Sequence, residues 1–145
     1  MRIPAFLACA LIASISLAAA FSPRDSSAQA PIKETRPIFA DVQRGIATGN
    51  ISVFSPHFHS QVHITLRGGD SGLYSANQAY YLLQNYFHER RPVSFVFTTY
   101  GDADSTPYAT GSAAFNSRGT RQHIQIYVAL AASGDRWVIT HINIY

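Results

Sequence analysis

The six histidines are the residues of this chain best suited to chemistry, because imidazole titrates near neutrality. His57, His59 and His63 lie close together in the sequence. Two histidines one residue apart share a face on a strand, as some zinc sites require. Here His57 falls at the end of an expected helix, where a spacing of two does not align side chains. No cysteine or nearby acid completes the set, so no metal ligand and no cofactor is assigned. His63 with His123 or His141 has the chemistry of an acid–base pair. Ordinary polar sheet positions are the favoured account of the same residues.

Two other patterns invite a chemical reading. Gly69-Asp70-Ser71-Gly72 carries the residue types of a serine nucleophile loop. The fold that uses such a loop needs two β-barrels, for which this chain is too short, and all four residues favour a polar turn. The aromatic stripe Tyr80, Tyr86 and Phe87 suits a ligand box or the buried face of a helix, and the helical spacing favours the buried face. Asn50-Ile51-Ser52 is a glycosylation sequon only in a eukaryotic secretory pathway.

The chain opens with Met1-Arg2 and an apolar run from Ile3 to Phe21, then a polar stretch closing on Ala28-Gln29-Ala30. That is the order of a signal peptide, residues 1–30, with small residues at the cleavage triplet. Ala18-Ala19-Ala20 is a competing site, and an uncleaved membrane anchor is the alternative, because the run is near the lower length for spanning. Leu7-Ala8-Cys9 lies too early for a lipoprotein box. Cys9 is the only cysteine, so disulfides and thiol chemistry drop out of the mature domain. The expected location is periplasmic or secreted, with the membrane a partner only if the segment is uncleaved.

Residues 31–145 have the size of one domain. Without Arg2, Arg24 and Asp25 they keep nine of the 11 basic residues and seven of the 8 acids, a net charge of about +2. The arginines are scattered, with no stripe that reads as a nucleic-acid footprint. A linker is expected from Ser22 to about Lys33.

The elements that must position these residues follow from periodicity. Ile38, Phe39, Val42 and Ile46 share a helical face, with Pro37 early in the helix and Gly49 as its stop. Asn50 caps a short second helix carrying Ile51, Phe54 and Phe58, which Pro56 shortens or kinks. Gln61–Leu66 alternates as a half-buried strand, and Arg67–Gly72 reads as a loop. Ser75 and Gln78 form a capping box for a helix burying Ala79, Tyr80, Leu83, Tyr86 and Phe87; Pro92 ends it. Four strands follow: Val93–Tyr100, Pro107–Phe115, Gln122–Leu130 and Arg136–Tyr145. The order is α-α-β-α-β-β-β-β.

A tight turn at Arg118-Gly119 pairs Phe115 with Gln122 and Ala113 with Ile124, which places Ala109, Gly111, Ala113 and Phe115 on the face of Ile124–Leu130. A three-residue turn at Ser133–Asp135 adds Val138, Ile142 and Ile144 to that face. A turn of another length swaps these for Trp137 and Ile139, because a slip of one residue flips the face.

Helices followed by a curved antiparallel sheet resemble the nuclear transport factor 2-like superfamily. More narrowly, the chain resembles the secreted bacterial family known as domain of unknown function 4783. The likeness rests on Thr48-Gly49-Asn50, Val62-His63-Ile64, Gly72-Leu73-Tyr74-Ser75, Tyr108-Ala109-Thr110-Gly111, Ile126-Tyr127-Val128 and Trp137-Val138-Ile139. The chain departs from that picture at His63, where an acid is more usual, and at Pro56.

The resemblance implies an α+β cone and no specific activity. Superfamily enzymes such as ketosteroid isomerase use an Asp, or an Asp/His pair, inside the cone. Glu34, Asp41, Asp70, Glu89, Asp102, Asp104 and Asp135 all fall in loops, at element ends or on helix surfaces, with Asp41 facing inward only if the first helix is misphased. No catalytic residue is assigned. The favoured function is an exported domain that binds a protein partner or a small apolar ligand without catalysis; the alternative is a small ketosteroid isomerase-like enzyme using His and Tyr. Helices cover one sheet face only. With the favoured turns the other carries Tyr108, Thr110, Ser112, His123, Gln125, Tyr127, Trp137, His141 and Asn143, too aromatic for ordinary surface and too polar for a dry core. The expected binding residues are His63, Tyr108, His123, Tyr127, Trp137 and His141. In this superfamily such a face pairs two copies, so the resemblance implies a homodimer anchored by Tyr127 and Trp137.

Overall fold

The computed structural model describes residues 29–145, with side chains from Glu34 onward. The expected signal segment, apart from its last two residues, lies outside the described residues. Helix α1 spans Gln29–Thr48, two 3-10 turns follow at Ile51–Val53 and Ser55–His57, and then strands β1 (Phe58–Thr65) and β2 (Ser71–Ser75). Helix α2 (Ala76–Glu89) leads into β3 (Pro92–Ala103), β4 (Thr106–Ser117), β5 (Thr120–Ser133) and β6 (Arg136–Ile144). The strands form one sheet in the order β2-β1-β6-β5-β4-β3. All neighbours are antiparallel except β1 and β6, which run parallel. No helix among the described residues is long and apolar enough to cross a membrane.

Four expectations are corrected. Helix α1 begins at Gln29, so the stretch to Lys33 is helical where a linker was expected, and Pro37 lies inside the helix. The expected second helix is two 3-10 turns, with Ser55-Pro56 opening the second. Proline has no N–H for an α-helical ladder and fits the first positions of a short turn. Phe58 belongs to β1 instead. The end of the expected Arg67–Gly72 loop is already strand, because Ser71–Ser75 folds back on β1, pairing Leu73 with His63 and Ser71 with Thr65.

Other local signals hold. Gly49 takes φ +72 after α1, and the Asn50 N–H bonds the Gly45 carbonyl at 2.8 Å, an αL helix end. The Asn50 side chain caps the first 3-10 turn. Ser75 and Gln78 complete a capping box on α2.

One core fills the space between helices and sheet. Phe39, Val42 and Ile46 of α1, Leu83 and Phe87 of α2, and Ile64, Ile126, Leu130, Ile142 and Ile144 of the sheet are all at most 1% exposed. Helix α1 packs across β3 and α2 across β1 and β2. Phe39 meets Phe97 and Tyr100 edge-on, each at 5.7 Å. Four register shifts interrupt the sheet, and two of them bear on the site. In β3 the register shifts between Phe97 and Thr99, and there the Phe97 N–H donates to Gln43 Oε1 of α1 at 2.9 Å. Opposite it, any Cβ at position 111 would lie 2.2 Å from the Val96 carbonyl oxygen, so only glycine fits. The second bulge is in β6 and decides the candidate site.

Candidate functional site

The Arg118-Gly119 turn places β4 on β5 as expected, pairing Ala113 with Ile124 and Phe115 with Gln122. The next turn does not have three residues: Ser133 pairs with Arg136 directly, leaving Gly134-Asp135 as the turn. Ala132 then pairs with Trp137 and Leu130 with Ile139, which turns Trp137 and Ile139 to the helix side. Thr140 is extra. Ala129 pairs with His141 while Leu130 pairs with Ile139, so the chain flips by one residue and Ile142 and Ile144 return to the core. The two turn lengths weighed in the sequence thus each describe half of β6.

Trp137 is therefore not on the outer face, contrary to expectation. It is half-buried against the core, and its Nε1 donates to Glu34 Oε2 of α1 at 3.5 Å. The remaining residues do share the outer face. Tyr108 and Tyr127 stack with ring centroids 5.7 Å apart and planes at 27°. The Tyr108 ring lies over Gly101 of β3, where a Cβ would be 2.5 Å from it. His63 and His141 sit directly opposite on the parallel strands β1 and β6, ring centroids 5.5 Å apart. Thr110 pairs with Tyr127, Tyr127 with Asn143, and Asn143 with Thr65, which runs the face across four strands. His123 lies on the same face, but it is exposed and pairs with Ala114 near the other end of β5.

The electrostatics of this face are those of neutral polar groups. From Tyr108 to Asn143 it carries no Asp, Glu, Lys or Arg; the nearest arginine on β5, Arg121, is six residues or about 20 Å from Tyr127. Burial raises the Tyr127 pKa, with Tyr108 and Tyr145 adding to it. His141 is exposed overall, yet loss of water around its ring holds its pKa below the usual imidazole value, and His63 adds to the shift. His141 Nδ1 is 3.0 Å from Thr140 Oγ1. Three atoms among the described residues are shielded from solvent without a hydrogen-bond partner: His63 Nδ1 and Asn143 Oδ1 on this face, and Asp102 Oδ1 near the end of β3. Each such group costs about 1–3 kcal/mol unless something binds it.

A second cluster escaped the sequence reading. Asp41 Oδ2 lies 3.0 Å from His57 Nε2, and Arg44 also bonds Asp41 through Oδ1 at 2.6 Å. Both side chains of the Asp–His pair are about 30% exposed. Beside it a cleft of about 520 Å³ is lined by Glu34, Ile38, Pro56, His57, Asp135, Arg136 and Trp137. The available signal was phase: Asp41 is three residues from Ile38 and four from Gly45, and Phe54 sits on Gly45, so the 3-10 turns lie along that side of α1. No three His, Cys, Asp or Glu side chains converge on a cation position among the described residues.

No curated protein matches the chain. Residues 39–145 match the family described as Domain of unknown function (DUF4783). A solved structure of that family from Bacteroides ovatus superposes with TM-score 0.64 at 18% identity, covering 72% of this chain and 91% of that one. One from Bacteroides uniformis gives 0.64 at 15%, covering 72% and 93%. A putative dehydratase from the NTF2-like family of Streptomyces avermitilis gives 0.61 at 8%, covering 81% and 96%. The chain belongs to the domain of unknown function 4783 family, built on the nuclear transport factor 2-like fold.

Proposed function

We propose that the chain is an exported, non-catalytic binding domain whose uncovered sheet face docks a second copy of itself. The observation that carries this is the outer face: a Tyr108–Tyr127 stack beside His63 Nδ1 and Asn143 Oδ1, both shielded and unpartnered. Aromatic residues with neutral polar neighbours are the composition of an interface core. A two-fold pairing sets a patch against itself, so a charged patch repels its copy, whereas this uncharged one does not. Export is supported by the apolar run and the small-residue triplet ending at Ala30.

The described acids support binding over catalysis. Thr35 is the one buried polar residue among the described side chains. The Asp41–His57 pair is partly solvated and tied to Arg44, which denies it the dry surroundings that tune a carboxylate base. The test is light scattering of the wild type and Tyr127→Asp. A dimer that the substitution splits is the expected result, since it buries a charge without a partner. A wild type that stays monomeric at high micromolar concentration refutes the docking reading.

A further inference from the structure

Resting on that docking reading, we infer that the sheet face is a pH gate: the two copies pair only while His63 and His141 are uncharged, and mild acid separates them.

The geometry carries this. The two imidazoles are directly opposed at 5.5 Å on adjacent strands, so charging both places like charges side by side. A protonated imidazole donates from both ring nitrogens. His63 Nδ1 is shielded from water and has no acceptor within reach, so a proton added there is left unsatisfied. Nor does any element packed against the pair offer a compensating anion. Strand β2 presents Leu73 and Ser71, β1 presents Gln61 and Thr65, and β6 presents Asn143 and Tyr145. Strand β5 brings Ala129 and Tyr127, and β4 brings Tyr108. Tyr108, Tyr127 and Tyr145 bring phenols and no carboxylate. His59, whose Nδ1 engages the backbone of Gln61, and the exposed His123 are imidazoles and supply no anion either. Laying a second copy over the face removes the remaining water and disfavours the charged forms further. Already in one chain, burial and His63 hold the His141 pKa down.

The experiment is the oligomeric state of the full chain from about pH 8 to about pH 5, with circular dichroism to confirm that the fold persists. Excluding one proton per copy raises the dimer dissociation constant by up to about 100-fold per pH unit once pH falls below the imidazole value of the free copy, which for His141 burial holds under the usual one. The His63→Gln/His141→Gln variant is expected to lose the pH dependence of its dimer dissociation constant, whatever that constant is. A wild-type dimer whose dissociation constant changes less than about threefold over that range overturns the gate and leaves the docking reading standing. A monomer at every pH overturns the docking reading and the gate with it. A double variant that keeps the wild-type pH dependence overturns the assignment to these two histidines. If the double variant does not dimerise, the imidazole C2-proton titrations decide: midpoints of His63 and His141 that are equal in the wild-type dimer and the Tyr127→Asp monomer overturn the gate.

Discussion

Replacing Gly111 with alanine tests the packing of α1 on the sheet. An added Cβ would sit 2.2 Å from the Val96 carbonyl oxygen and 2.8 Å from the Phe97 Cα, both backbone atoms of the bulged strand β3. Backbone cannot rotate aside as a side chain can, so β3 must move away from β4. Overpacking a core costs about 1–3 kcal/mol, and a backbone collision belongs at the upper end. The displaced segment also carries the Phe97 N–H that donates to Gln43 Oε1, and losing that bond adds about 1 kcal/mol. Against this, Gly→Ala stabilises by about 0.4–1 kcal/mol through the unfolded chain. The net expectation is a loss of about 3 kcal/mol, a large part of the stability of a small domain. Urea unfolding measures it, read as a lower midpoint at unchanged slope. A variant within about 1 kcal/mol of the wild type would show that β3 relaxes freely, and that α1 is not fixed on the bulge as argued.

Two further outcomes are expected. Ile126→Ala and Tyr86→Ala each remove a buried core side chain and should cost about 2–5 kcal/mol in the same assay; two neutral variants would refute the face assignment. Burial raises the Tyr86 pKa despite the opposing pull of Arg90 and Arg67, and burial also raises that of Tyr127. The folded state therefore holds these phenolic protons more tightly than the unfolded chain does. Stability is fully present below the unfolded value near 10 and falls as pH rises through the folded values. Spectrophotometric titration should show two tyrosines ionising late, and midpoints equal to those in denaturant would refute the burial argument.

What the sequence by itself determined was much of what depends on neighbours along the chain, though not the two 3-10 turns or the length of the Gly134-Asp135 turn. The helical phase of Ile38, Phe39, Val42 and Ile46, the Ser75–Gln78 box, the Gly49 stop and the Arg118-Gly119 hairpin register are set by local dihedrals and side-chain period, and all appear in the fold. Ser71–Ser75 was not legible as a strand, because a five-residue segment with Gly72 and a serine at each end becomes extended here only by pairing with β1. Nor was the parallel contact of β1 with β6, which joins His63 to His141 across most of the chain. Residues 57 and 41 meet because the 3-10 turns fold back along α1. The site itself turned on one residue. The outer face was read correctly at Tyr108, Tyr127 and His141, yet Trp137 was placed on the wrong side, because nothing local marks Thr140 as a bulge. Alternation cannot register an inserted residue; only packing can. The two-residue turn alone would bury His141 and Asn143 and expose Ile142 and Ile144. The bulge lets Trp137 and Ile139 face the helices at one end of β6 and Ile142 and Ile144 face the core at the other.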